Sequence, residues 1–303
     1  MKTFLDCIPC FFRQALDAVR LITDDEAIHE QILRDVLELT AHLDLHQSPP
    51  AMGRLIHRRI RQLTENADPY RTWKQTHNQF ALQLYDEMKA AIQNSANPLE
   101  TAVRLAIAGN IIDLGVKTSI SDDDISKTIR RSLTEPFNQT MVESLREDTE
   151  KAVDILYLTD NTGEIVFDRL LIEQLPAEKI TVVVKGYPVI NDATLTDAVE
   201  TGLTDLVKVI DNGSDAPGTI LETCPQAFVS RFQQADLIIA KGQGNYETLS
   251  DCDKNIYFIL KAKCPVIASD LGCPVGQMVL VKKCARTGHT AVQNNNLNMK
   301  ERR

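Results

Sequence analysis

The apolar residues change period near residue 150, and that change limits the possible folds more than any other feature of the chain. From about residue 10 to 152 they recur at helical spacing, as in "FFRQALDAVRLI", "AIHEQILRDVLELTAHL", "MGRLIHRRIRQL", "YRTWKQTHNQFALQLYDEMKAAI" and "LETAVRLAIAGNIIDLG". Pro49, Pro50, Pro69 and Pro98 each precede a helix start, where a missing N–H costs little. After Asp154, short β-rich runs alternate with helical stretches: "ILYLTD", "KITVVVKG", "LVKVID", "DLIIAKG", "IYFILKA" and "CPVIASD". Unbroken apolar runs belong to strands buried on both faces, and the helices between them supply crossovers for a parallel sheet. The expected fold is α/β. A helical N-terminal domain (1–152) packs on a doubly wound, mainly parallel Rossmann-like sheet (153–285), and a polar tail (286–303) follows.

A chain of 303 residues is long enough for two units of ordinary size. Its formal net charge of -9 argues against nucleic acid as a partner, because phosphate backbones are held by clustered Lys and Arg. No apolar run reaches the roughly 20 residues of a membrane-spanning helix, and "MKTFLDCIPC" lacks the basic-then-apolar layout of a leader. A soluble, cytoplasmic protein without a membrane partner is therefore expected. Cys7, Cys10, Cys224, Cys252, Cys264, Cys273 and Cys284 are odd in number and scattered, which points to reduced thiols.

In open parallel sheets, ligands gather beyond the carboxyl ends of the strands. Four such ends are unusually polar here: "TDNTGE", "KGYPVINDAT", "DNGSDAPGT" and "KGQGNYE". In the first, Asp160 offers an anionic oxygen and Asn161 a carbonyl oxygen, while Gly163 permits a tight turn into a helix whose N–H groups favour anions. Such hard oxygen donors suit Mg²⁺ or Mn²⁺, and Asp192 could complete the set. Taken singly, Asp160, Asn161 and Asp192 read more simply as helix caps. Capping, however, does not require Lys185 and Lys241 at the same sheet edge.

The glycine-rich segments carry the same two readings. "GSDAPGT" and "GQGN" could present N–H groups and the Ser214 or Thr219 hydroxyl to a phosphate, or Gly213, Gly218, Gly242 and Gly244 could simply make turns. No Walker loop occurs, and "GQGNYE" has only two glycines of a dinucleotide fingerprint. An aspartyl-phosphate route is disfavoured, because the position two after Asp160 holds Thr162 in place of a second Asp.

In this order and spacing, "DNTGE", "INDAT", "NGSDAPGT" and "KGQGNYE" resemble the metal-dependent damage-control phosphatases, also known as domain of unknown function eighty-nine. The likeness extends through "CIPCFFRQAL", "ADPYRTWKQ" and "AIAGNIIDLG". The resemblance implies hydrolysis of phosphate monoesters, such as damaged or overflow sugar phosphates and cofactor precursors, with Mn²⁺, Co²⁺, Ni²⁺ or Mg²⁺. It implies metal binding by Asp160, Asn161 and Asp192, and phosphate binding by Lys241, the lysine before the G-x-G-N loop; Gly242, Gly244 and Asn245 of that loop stay candidate phosphate contacts on their residue types alone. The N-terminal Cys-x-x-Cys is the mark of a microbial branch. Glu164 and Asp192 are both candidates for the base that activates water.

Other features keep several readings. Cys7 and Cys10 are metal ligands, with His57 or His77 as possible companions, or a redox pair, or packing residues. Asn110 and Asp113 share a helix face, so Asn110 either touches substrate or caps a buried helix. Arg54, Arg58, Arg59 and Arg61 are expected on a solvated face, and Phe11, Phe12, Leu16 and Val19 in the core. Two rivals to the phosphatase are a transferase using S-adenosylmethionine or a nucleotide, and a metabolite-binding protein without activity.

Overall fold

The protein is described by a computed structural model over residues 1–109, 127 and 130–285. Asn110, Asp113 and the polar tail lie outside the described residues. The first three helices are α1 (Cys7–Ile22), α2 (Glu26–Ala41) and α3 (Pro49–Thr64), and they share a core that includes Phe11, Val19, Ile32, Val36, Ile56 and Ile60. Then come α4 (Arg71–Gln93), α5 (Pro98–Ala108) and α6 (Gln139–Lys151). The starts of α5 and α6 are fixed by Asn97 and Asn138, whose side chains accept from the backbone N–H groups of Glu100 and Met141.

The second half begins with β1 (Ile155–Leu158) and α7 (Glu164–Ile172), then β2 (Ile180–Val184), α8 (Leu195–Glu200) and β3 (Lys208–Asp211). It continues through α9 (Gln226–Gln234), β4 (Leu237–Lys241), α10 (Gly242–Leu249), β5 (Ile256–Lys261), α11 (Pro265–Leu271) and β6 (Met278–Lys283). The strands lie in the order β3-β2-β1-β4-β5-β6, all parallel except β6 against β5. The order reverses between β1 and β4, which opens a crevice at their carboxyl ends.

Side chains alternate across the sheet as the two-residue period requires. Ile155, Tyr157, Val182 and Ile239 face one core, and Leu156, Leu158, Val183 and Ile238 face the other. Phe228, Phe232, Tyr246, Leu249 and Ile267 from α9, α10 and α11 cover the second face. The first face is covered by α7 and α8 and also by Met88, Ile92, Val103, Ile107 and Leu145 from α4, α5 and α6. One core thus runs across the expected boundary at residue 152, while the core of α1, α2 and α3 lies wholly before it. The reason is visible in α5, which is apolar on nearly every side and is buried almost throughout, so it needs a second layer to pack against.

One expected strand is a helix. "CPVIASD" forms α11, because Pro265 in the first turn and Gly272 at φ +66 just past the end punctuate a helix. The sixth strand is β6, pairing Val281 with Phe258 and Leu280 with Ile259. No described helix is long and apolar enough to cross a membrane.

Candidate metal and phosphate site

The backbone brings the first and second polar strand ends together. Beyond β1, Thr159 N–H and Oγ1 both donate to Val183 O, at 3.0 and 2.9 Å. The segment after β2 folds back on this end: Ala193 N donates to Asp160 O and Thr162 N to Asn191 O, each at 2.9 Å, and Asn161 and Asp192 form an antiparallel bridge. Ile190 makes the return turn at φ +46, a left-handed backbone that a β-branched residue adopts only under constraint. Asp192 therefore sits beside Asn161 through main-chain pairing, independent of any side-chain contact.

Asp160, Asn161, Glu164 and Asp192 are all buried. Asn161 Nδ2 donates to Asp160 Oδ2 at 2.9 Å and to Glu164 Oε2 at 3.3 Å. With its NH₂ group so engaged, the amide is left with Oδ1 as its acceptor atom. Asp160 lies over Gly242, where a Cβ would approach Oδ2 to 1.9 Å. Burial, reinforced by the Glu164 and Asp192 carboxylates, pushes the Asp160 carboxyl well above the usual range, while Lys263 and Lys241 pull the other way. Two carboxylates and one amide oxygen form a hard donor set that fits Mg²⁺ or Mn²⁺. Among the described residues, no group of three or more His, Cys, Asp or Glu is placed to hold a metal ion without a further donor type.

The lysines divide differently from the sequence expectation. Lys241, expected to hold phosphate, is fully buried, and its ammonium donates to Ala106 O at 2.8 Å and to Glu164 Oε1 and Asp168 Oδ1 at 2.6 Å. Its three donors are used, so it serves the protein interior. Burial works against its charge, but Asp168 and Glu164 outweigh that and hold it above the ordinary lysine value. Lys185 does stand at the site, 3.4 Å from Asp192 Oδ2, and it also donates to Gly218 O. Lys263, exposed just after β5, favours the ionised form of Asp160 through its positive charge. Nothing in its sequence context singles it out.

Several expected phosphate contacts are engaged in internal bonds. Gly163 lies at φ +72 and its N–H donates to Asn78 Oδ1 at 2.8 Å, so α4 holds the turn. Asn78 donates in turn to Asp197, which pairs with the buried Lys74 and caps α8 through Thr194. Ser214 Oγ meets Thr223 Oγ1 at 2.6 Å and accepts from Ala216 N. Thr219 Oγ1 donates to Asn245 Oδ1 at 2.8 Å, and Asn245 Nδ2 ties the Thr159 and Lys241 carbonyls together at 3.0 and 2.8 Å. Gly242, at φ +79, opens α10, and Gly244 lies in that helix, which replaces the loop expected there. Gly218 lets the two backbones come close: a Cβ on Gly218 would fall 2.2 Å from Gly244 O. A pyrophosphate at the start of α10 would meet the Asp160 carboxylate, which opposes the dinucleotide reading.

Asp168 and Asn78 were not read as site residues, since both lie inside helices with ordinary helical spacing. Asp168 also accepts from Tyr157 OH at 2.8 Å, and burial pushes its carboxyl up to about 6 against the pull of Lys241. Arg54, Arg58 and Arg61 do not lie on a freely solvated face: all three bond to Asp215. His57 approaches Tyr70 OH at 3.3 Å and His77 the Trp73 carbonyl at 2.6 Å. All seven cysteines are free thiols, with burial raising the Cys7 value and Cys10 exposed.

A family model described as the damage-control phosphatase ARMT1-like domain matches residues 3–279. The chain is 35% identical over 287 residues to a damage-control phosphatase of Pyrococcus horikoshii, covering 93% of this chain and 98% of the relative. It is equally similar to a damage-control phosphatase of Archaeoglobus fulgidus, 35% over 287 residues with 92% and 98% covered. An uncharacterised protein of Methanocaldococcus jannaschii is 40% identical over 290 residues, covering 92% and 94%. The crystal structure of a DUF89 family protein from Pyrococcus horikoshii superposes with a TM-score of 0.84 at 34% identity, over 93% of this chain and 99% of that one. The likeness thus runs through the helical half as well as the sheet.

Proposed function

Because the chain belongs to the damage-control phosphatase ARMT1-like family, we propose that it is a metal-dependent phosphatase acting on a small phosphorylated metabolite at the carboxyl end of β1. The observation that carries this reading is the main-chain bridge that sets Asp192 beside Asn161 at the reversal point of the sheet, with Lys185 3.4 Å from Asp192.

Asp160, Asn161 and Asp192 would hold Mn²⁺, Co²⁺, Ni²⁺ or Mg²⁺. Bound there, the cation would neutralise a phosphate oxygen and lower the pKa of a water. The chain's own residues do the rest. Lys185 and Lys263 supply positive charge toward a phosphoryl group, as phosphoryl transfer requires. Glu164 accepts from Lys241 on one oxygen and from Asn161 on the other, so it orients the Asn161 amide and is poorly placed to take a proton. Lys241 and Asp168 are positioning residues behind it. Of the two base candidates, Asp192 is the one we retain.

The test is phosphate release by metal-stripped protein, with each of the four cations restored in turn. Its substrates are p-nitrophenyl phosphate and a panel of sugar, nucleoside and pantetheine phosphates. We expect release only with metal. Silence across the whole panel with every cation would rule the reading out.

A further inference from the structure

Three guanidinium groups converge on one carboxylate at the edge of this site. Asp215 Oδ1 accepts from Arg54 Nε at 2.6 Å and Arg58 Nη2 at 3.0 Å, and Oδ2 accepts from Arg58 Nε at 2.6 Å and Arg61 Nη2 at 2.7 Å. One bidentate arginine already gives a carboxylate its favoured geometry. Two further guanidiniums repel the first and leave a local surplus of positive charge, in a chain whose net charge is -9. The surplus is open to solvent, because the Arg58 side chain is 45% exposed.

The cluster shares both of its loops with the candidate site. Arg61 Nη1 donates to Pro188 O at 2.8 Å, and Pro188 belongs to the turn that carries Asp192. Asp215 precedes Gly218 in one loop, and the Gly218 carbonyl accepts from Lys185, the partner of Asp192. Pro217 seats this loop against α3, where a Cβ on Gly53 would be 3.3 Å from its ring. We propose that Arg54, Arg58 and Arg61 form a second anion subsite, so that the substrate carries a phosphate or carboxylate besides the phosphoryl group that is cleaved. The proposal rests on the phosphatase reading and specifies its substrate class. Asp215 and the Pro188 carbonyl take both terminal nitrogens of Arg61 and the Nε–Nη2 fork of Arg58, which leaves Arg58 Nη1 and the Nη1–Nη2 pair of Arg54 for an added anion; that pair matches the paired oxygens of a phosphate or carboxylate, which a lysine does not.

Kinetics with metal-restored protein test it on three substrates: a sugar monophosphate, the corresponding bisphosphate, and a phosphorylated hydroxy acid of similar size. The doubly anionic substrates should exceed the monophosphate in kcat/KM by about tenfold or more, and R58Q should cut that ratio about tenfold through KM. R58K should cut it less, since it keeps the charge and loses the fork. Preference for the bisphosphate identifies a second phosphate, and preference for the hydroxy acid a carboxylate. A ratio near one in the wild type, or an equal ratio in R58Q, overturns the subsite. Calorimetry with inorganic pyrophosphate on metal-free protein separates this result from failure of the phosphatase reading. Binding weakened about tenfold by R58Q upholds the subsite even without turnover; no binding, or equal binding, overturns it. Should R58Q fail to fold, R58K carries both measurements.

Discussion

At the scale of single residues, the site depends on Gly242 as much as on the groups that carry charge. Its φ of +79 suits glycine, and the Asp160 carboxylate occupies the space a side chain would need. Gly242→Ala should cost about 1–3 kcal/mol from backbone strain and should also displace Asp160. Gly272→Ala is the control, since Gly272 has φ +66 with nothing within 4 Å of a Cβ and imposes the strain alone. Urea unfolding with and without Mn²⁺ should show metal stabilisation lost in the first variant and kept in the second. Equal metal stabilisation in both would contradict the role given to Asp160. The "TDNTGE" and "INDAT" segments stand out in the sequence because their polar residues interrupt buried apolar runs. The internal partners of Lys241 are hidden from sequence for a physical reason: sequence places its charge at a strand end but cannot show that three acceptors wait beneath it.

At the scale of elements, Lys241 joins β4 to α7 through Glu164 and Asp168, and to the end of α5 through Ala106 O. Removing its charge leaves two buried carboxylates without their cation. Lys241→Met should lower stability by about 3–5 kcal/mol at neutral pH, with part of the loss recovered as the pH falls and Asp168, whose carboxyl burial already raises, takes up a proton. The sign follows from linkage: without Lys241 the folded state holds protons more tightly than the unfolded chain, so acid favours folding. Urea unfolding near pH 5 and pH 7 reads this out; a variant as stable as wild type at pH 7 would show the pairing to be unimportant. Element types were mostly legible, since five of the six expected strands form where β-rich runs occur. "CPVIASD" misled because so short an apolar run fits either period, and only Pro265 and Gly272 decide it.

At the scale of the molecule, the helical half is tied to the sheet by shared core and by charge. The shared core was hidden from sequence, because a change of period marks a change of element and says nothing about which layers pack together. The charge link is Arg54, Arg58 and Arg61 of α3 on Asp215, and three positive residues on one helix read in sequence as a solvated face. Burial alone would raise the Asp215 carboxyl, but the hydrogen bonds from Arg58 and Arg54 outweigh it and hold the group down to about 2. Its folded value lies below the unfolded one, so its contribution is complete above about pH 4 and is lost as the pH falls toward 2. Asp215→Asn should be less stable at neutral pH and show a flatter decline over that acid window in thermal unfolding. An unchanged acid limb would contradict the clamp. The central claim is that Asp160, Asn161 and Asp192 hold the metal on which turnover depends. The most direct measurement titrates Mn²⁺ into metal-stripped wild type, Asp160→Ala and Asp192→Ala, following thermal unfolding and phosphate release in the same samples. The account predicts that both signals rise together over one metal concentration range in the wild type and are absent in both variants. Metal-dependent phosphate release that persists in either variant would contradict it.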